Sequence, residues 1–125
     1  MAETSTEELA AAAPNAEDRA WGMLAHLCAL CGLVFPFGNV LAPFVVWRIR
    51  RARSAFIEDQ AREALNFNLS VIIVALACST LVWLLIGVAL LVTLGVCWLA
   101  LIIRAAVVAG EGMRYRYPLS WRFVK

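Results

Sequence analysis

From Ala64 to Ile103 the chain runs for 40 residues without a single Asp, Glu, Lys or Arg. As one helix this stretch would be about 60 Å long at about 1.5 Å per residue. That is twice the roughly 30 Å hydrocarbon core of a bilayer. The stretch must therefore fold back once, giving two helices of about 20 residues each. The turn is expected within Leu81–Val88, with Gly87 as the break. Lipid supplies no hydrogen bonds, so only helices and closed barrels cross it. No run of ten-residue segments alternates with period two, which leaves helices. The composition agrees: 63% hydrophobic and 16% charged, where soluble domains carry about a quarter charged residues. A chain of 125 residues cannot hide that much apolar surface from water. It reads as one integral membrane domain.

A second uncharged run spans Trp21–Trp47, with His26 neutral. It is long enough for one tilted span. However, Pro36, Gly38 and Asn39 bring turn chemistry into its middle, and Pro36 would break a continuous helical ladder. The other reading is a hairpin of two short helices, about Ala20–Val34 and Gly38–Arg50. The expected architecture is thus all-α, with four helical segments. Two short ones form the hairpin, two full spans follow, and an interfacial ribbon ends the chain. The expected division is an acidic tail (1–19), a helical membrane domain (20–110) and a basic aromatic tail (111–125).

Basic residues mark the cytoplasmic side of short loops. Arg48, Arg50, Arg51 and Arg53 follow the first apolar run, and Arg104, Arg114, Arg116, Arg122 and Lys125 end the chain. A pair of spans between the clusters puts both on one face, which assigns the C-terminus to the cytoplasm. Four helices place the N-terminus there too; three place it outside. The N-terminus is acidic, which does not suit a cleavable signal peptide. It reads as a mobile tail, with Ser5 or Thr6 able to cap a helix over "EELAAAA".

Few residues offer chemistry. Cys28 and Cys31 form a C-x-x-C, but an apolar setting raises a thiol's pKa, and Cys78 and Cys97 stand apart. No metal site, cofactor or disulfide is expected. The spans hold no nucleophile–base pair, so the chain is not expected to be an enzyme. His26, the one histidine, suits a hydrogen bond between helices. Arg104 is expected to snorkel to the interface or to pair with an acid among residues 58–63. In "MRYRYPLSWRFVK", Tyr115, Tyr117, Trp121 and the basic Arg122 suit a headgroup ribbon, its rings anchoring and its cations meeting anionic lipid. Attachment to a span argues against nucleic acid as a partner.

The most polar stretch is "EDQAREALNFNLS". Ser54 is a plausible N-cap, and acids in the opening turns suit the helix dipole. The interface accounts for Glu58, Asp59 and Arg62. Asn66 and Asn68 go below the headgroups, where an amide needs a partner. Together with His26, Asn39, Gln60 and Glu63 they form a candidate set for partner binding or polar helix–helix contact. One function is an interaction or assembly component holding a membrane-protein or polypeptide partner. The alternative is a small transporter or channel, built as a homo-oligomer, with His26, Asn39 and Asn66 along its path.

"MLAHLCALCG", "GNVLAPFVVWRIRR", "SAFIEDQAREALNFNLS" and "GEGMRYRYPLSWRFVK" occur in the order seen in a group of small bacterial membrane proteins. That group resembles the twenty-kilodalton subunit of the chloroplast inner-envelope import translocon. The most specific parts are "EALNF" and "YRYPLSWRF", and the resemblance covers Trp21–Lys125. It implies four membrane helices with both ends on one side. It also implies a bacterial inner-membrane location and a role in protein translocation. Ala55 and Asn68 depart from the group's usual proline and glutamine.

Overall fold

The computed structural model describes residues 13–82, 85–118 and 120–124. Ser5, Thr6 and the stretch from Glu7 to Ala12 lie outside the described residues. Four α-helices are present among the described residues, with no strand. They are α1 (Ala16–Leu27), α2 (Gly38–Arg50), α3 (Ala55–Thr80) and α4 (Ile86–Gly110).

Helix α1 starts ahead of Ala20 because its cap lies upstream. The Asn15 side chain accepts from the Asp18 N–H at 2.8 Å, and the Asp18 carboxylate accepts from the Asn15 N–H at 3.3 Å. This reciprocal pairing is a capping box. After Leu27 the chain tightens into a 3-10 segment, Cys28–Leu33. It then reverses through Pro36 and Phe37, the latter at φ 63. Pro43 sits inside α2, where its missing N–H interrupts the ladder.

Residues 21–47 therefore form a hairpin of two short helices and not one continuous helix. Two contacts close the hairpin's open end. Arg53 donates to Glu17 at 2.6 Å, and the Arg50 guanidinium lies 4.1 Å from the Trp21 ring centre. The hairpin's tip is apolar and bare, with Leu33 71% and Val34 85% exposed. Such residues belong in a bilayer rather than in water.

Helix α3 opens on Ser54, whose hydroxyl accepts from the Phe56 N–H at 3.2 Å. It packs on α1 so closely that a Cβ on Gly22 would lie 2.6 Å from the Phe56 ring. Helix α4 returns along α1 and α3. Between α3 and α4 the break falls before Gly87, at Leu85 in the left-handed region. Gly87 itself is the second residue of α4. Helix α4 ends at Gly110, followed by Gly112 at φ 88. The Gly112 N–H bonds the Ala109 carbonyl and the Met113 N–H the Val108 carbonyl. That is a Schellman closure, which needs a residue free to adopt positive φ.

The core is built largely from alanine: Ala25, Ala29, Ala61, Ala64, Ala105, Ala106 and Ala109 are buried. Small residues let helices approach closely in lipid. Phe56, Ile57, Leu65, Phe67 and Ile102 join the alanines, while many other large apolar side chains point outward. Val88, Val92, Val96, Leu99 and Ile103 of α4 are all exposed. Helices α3 and α4 are long and apolar enough to cross a bilayer, and this outward apolar surface is the surface a bilayer covers. The protein is a membrane protein.

Candidate functional site

The polar residues of α3 face the chain's own C-terminal tail. Asp59, Gln60, Glu63, Asn66 and Ser70 are all buried. Spacings of three and four set them one above another along the helix. Gln60, Glu63, Ser70 and Asn66 take up the backbone N–H groups of Tyr115, Tyr117, Trp121 and Val124. The Tyr115 N–H donates to Gln60 Oε1 at 3.1 Å and the Tyr117 N–H to Glu63 Oε1 at 2.7 Å. Farther along α3, the Trp121 N–H donates to Ser70 Oγ at 2.9 Å. The tail then turns back. The Val124 N–H donates to Asn66 Oδ1 at 2.6 Å, and Asn66 Nδ2 donates to the Val124 carbonyl at 2.8 Å. An extended segment beside lipid has no strand partner for its N–H groups, and buried backbone polar groups need one. Here helix side chains supply it.

Charge reinforces the same seam. Arg116 grips Asp59 with both terminal nitrogens, Nη2 to Oδ1 at 2.6 Å and Nη1 to Oδ2 at 2.9 Å. Glu63 takes Arg122 Nη2 at 3.0 Å. The hydrogen bond to Asp59 holds the Arg116 pKa above its ordinary value. Asp59, assigned from sequence to the interface and the helix dipole, with Arg104 as the one alternative partner for acids 58–63, is thus a buried ion-pair partner of Arg116. Asp59 and Glu63 pair with tail arginines and Glu58 stands nearest Arg62, while Arg104 is exposed on α4.

His26 reaches the seam from α1. Its Nδ1 lies 2.8 Å from the Tyr117 hydroxyl and its Nε2 lies 2.9 Å from Gln60 Oε1. Gln60 Nε2 donates to Asp59 Oδ2 at 2.8 Å, which turns the amide oxygen toward the histidine. Nε2 of a neutral His26 must then carry the proton, and Nδ1 accepts from Tyr117. Burial pushes the Tyr117 hydroxyl above the ordinary tyrosine pKa, so it remains a donor. The Tyr117 ring stacks on Phe67 with centroids 3.8 Å apart and planes 3° apart.

The structure therefore gathers His26, Gln60, Glu63, Asn66, Tyr115 and Tyr117 around one seam. Tyr117 is 3% exposed, so it is not a headgroup anchor. Its hydroxyl is drawn inward by His26, and its ring by Phe67. Trp121 and Arg122 stay exposed, and Leu119 lies outside the described residues. Asn39 and Asn68 belong to a second cluster. There Asn68 Oδ1 accepts from Trp98 Nε1 at 2.8 Å and from Asn39 Nδ2 at 3.4 Å, joining α2, α3 and α4. Asn68 Nδ2 donates to the Ala64 carbonyl at 2.8 Å. Sequence reasoning missed Arg116, Ser70 and Trp98 as partners. The signal for Arg116 was present, because a buried carboxylate demands a cation and the tail is rich in arginine.

Residues 17–124 match the model of the magnetosome magnetite crystal formation (MamF/MmsF) family. The chain belongs to that family. This corrects the resemblance to the import translocon subunit drawn from "EALNF" and "YRYPLSWRF". No curated protein and no solved structure matches the chain.

Proposed function

We propose, with that membership as the premise, that this is a non-enzymatic membrane protein that takes part in magnetosome magnetite crystal formation as an interaction or assembly component. Its basic face, Arg48–Arg53 with Arg114–Arg122, lies on the cytoplasmic side by the distribution of arginines. One observation carries the reading. The buried carboxylates, Asp59 and Glu63, and the Asn66 amide on the same face of α3 are already engaged by the chain's own tail. Groups paired in this way hold a scaffold in shape and are not poised for acid–base or nucleophilic work, which needs a group aimed at a reacting atom.

The test is deletion of the gene in a magnetite-forming host, with crystals sized by electron microscopy. Deletion should alter crystal size, shape or number, and wild-type protein should restore them. An Asp59→Ala/Asn66→Leu variant that reaches the membrane with its tail released should restore them poorly. Crystals unchanged by the deletion would overturn the proposal.

A further inference from the structure

Beside the seam, between α3 and the tail, lies an open cleft of about 390 Å³. Arg62, Arg116 and Arg122 line it, with the carboxylates of Asp59 and Glu63. With Arg114 beside Asp59 and Glu58 beside Arg62, four guanidiniums stand against three carboxylates and leave one positive charge. The Asp59 and Glu63 carboxylates are buried and already bonded to Arg116 and Arg122. Arg62 differs. Its nearest acid is Glu58 at 3.9 Å, beyond hydrogen-bond distance, and it donates no hydrogen bond among the described residues. The cleft thus presents unused N–H donors to a visiting anion.

Arg122 also borders a second, shallower groove of about 430 Å³, which it shares with Ile73, Trp121 and Phe123. That groove is apolar. Arg62, Asn66 and Ile73 stand at spacings of four and seven on α3, so they form one stripe. From Arg62 to Ile73 the helix rises about 16 Å at about 1.5 Å per residue, about half of a roughly 30 Å hydrocarbon core. A cationic cleft therefore continues, at the correct depth, into an apolar groove on the same helix face.

We infer that this is a binding site for an anionic phospholipid. Its phosphodiester sits between Arg62 and Arg122, and one acyl chain runs along Ile73, Trp121 and Phe123. A phosphodiester carries one negative charge, matching the single excess positive charge of the cluster. Guanidiniums suit phosphate because their fork of donors meets two oxygens at once. The apolar groove decides between a lipid and a free phosphate ester, since only the lipid has a chain to fill it. A bound lipid would cover the seam where Glu63 and Asn66 hold the tail.

Native mass spectrometry of the full chain in detergent tests this, with phosphatidylglycerol and phosphatidylcholine offered in equal amounts. Phosphatidylglycerol should be retained preferentially. Arg62→Gln, which removes no intramolecular hydrogen bond, should weaken its retention about fivefold, the worth of one cation at an anionic lipid surface. Ile73→Trp, which fills the groove from an exposed position, should weaken it as well. Glycerol 3-phosphate in tenfold excess should leave the lipid in place. Equal retention of the two lipids, or retention unchanged in both variants, would overturn the site. Displacement by glycerol 3-phosphate would overturn the lipid and assign the cleft to a free phosphate ester.

Discussion

Asn66 and Val124 are joined twice: the amide oxygen accepts from the Val124 N–H and the amide nitrogen donates to the Val124 carbonyl. One side chain thereby does for the tail what a neighbouring strand does in a sheet. Asn66→Leu should leave both backbone groups unsatisfied and cost about 1–3 kcal/mol. Trypsin should then cut after Arg122 faster than in the wild type. Asn68→Leu is the control. It breaks the Trp98 contact and lowers stability, yet should leave cleavage after Arg122 slow. Equal cleavage in both variants would show that Asn66 does not hold the tail.

Asp59 and Arg116 should couple more strongly than any exposed pair in the molecule. The carboxylate is buried and bound bidentately, whereas both partners of the Glu17–Arg53 pair are about half exposed. A double-mutant cycle on Asp59→Asn and Arg116→Gln should give more than about 1 kcal/mol, as hydrogen bonds to charged groups do. The cycle on Glu17→Gln and Arg53→Gln should give about 0–1 kcal/mol, as exposed pairs do. Unfolding in graded mixtures of mild and denaturing detergent measures both. A reversed order would remove the ion pair from the account of the tail.

The two motifs behind the translocon resemblance meet across this seam. "EALNF" holds Glu63 and Asn66, and "YRYPLSWRF" holds Tyr115, Arg116, Tyr117, Trp121 and Arg122. They specify how a tail is pinned to a helix. A pinned tail is a structural device, and fold alone does not carry function. The four-helix layout was legible because it follows from length: 40 uncharged residues exceed one crossing, and Pro36 to Asn39 is turn chemistry in the middle of the other run. The return of the tail was not legible. Period-two aromatics suit a headgroup ribbon as well as a strip lying on a helix. Asp59 near a helix start is explained equally by the dipole, and only the fold shows that Arg116 stands opposite it.

The Tyr117 hydroxyl and His26 should behave as a pair. Tyr117→Phe keeps the stack on Phe67 but deprives His26 Nδ1 of its donor. The cost should be about 1–3 kcal/mol, that of a buried group left unsatisfied. In His26→Phe the hydroxyl is orphaned instead, with a similar loss. Combining the two removes both ends of the bond. The double variant should therefore be clearly less destabilised than the sum of the singles, by detergent unfolding. Strict additivity would mean that the 2.8 Å contact is not a working hydrogen bond.

The hairpin makes a prediction about sidedness. Asn15 caps α1 and Arg51 ends α2, and the Glu17–Arg53 ion pair holds these ends together. A hairpin that enters and returns puts both ends on one side of the membrane, whereas a single crossing by residues 21–47 would put them on opposite sides. Single cysteines at positions 15 and 51, with Cys28, Cys31, Cys78 and Cys97 replaced by alanine or serine, can be probed with an impermeant maleimide in sealed vesicles. Both should label from the same side, as should a cysteine at Arg114. A cysteine at Val34, on the exposed tip, should react slowly from either side because the tip sits in hydrocarbon. Labelling of positions 15 and 51 from opposite sides would restore the single crossing and remove the Glu17–Arg53 contact with it.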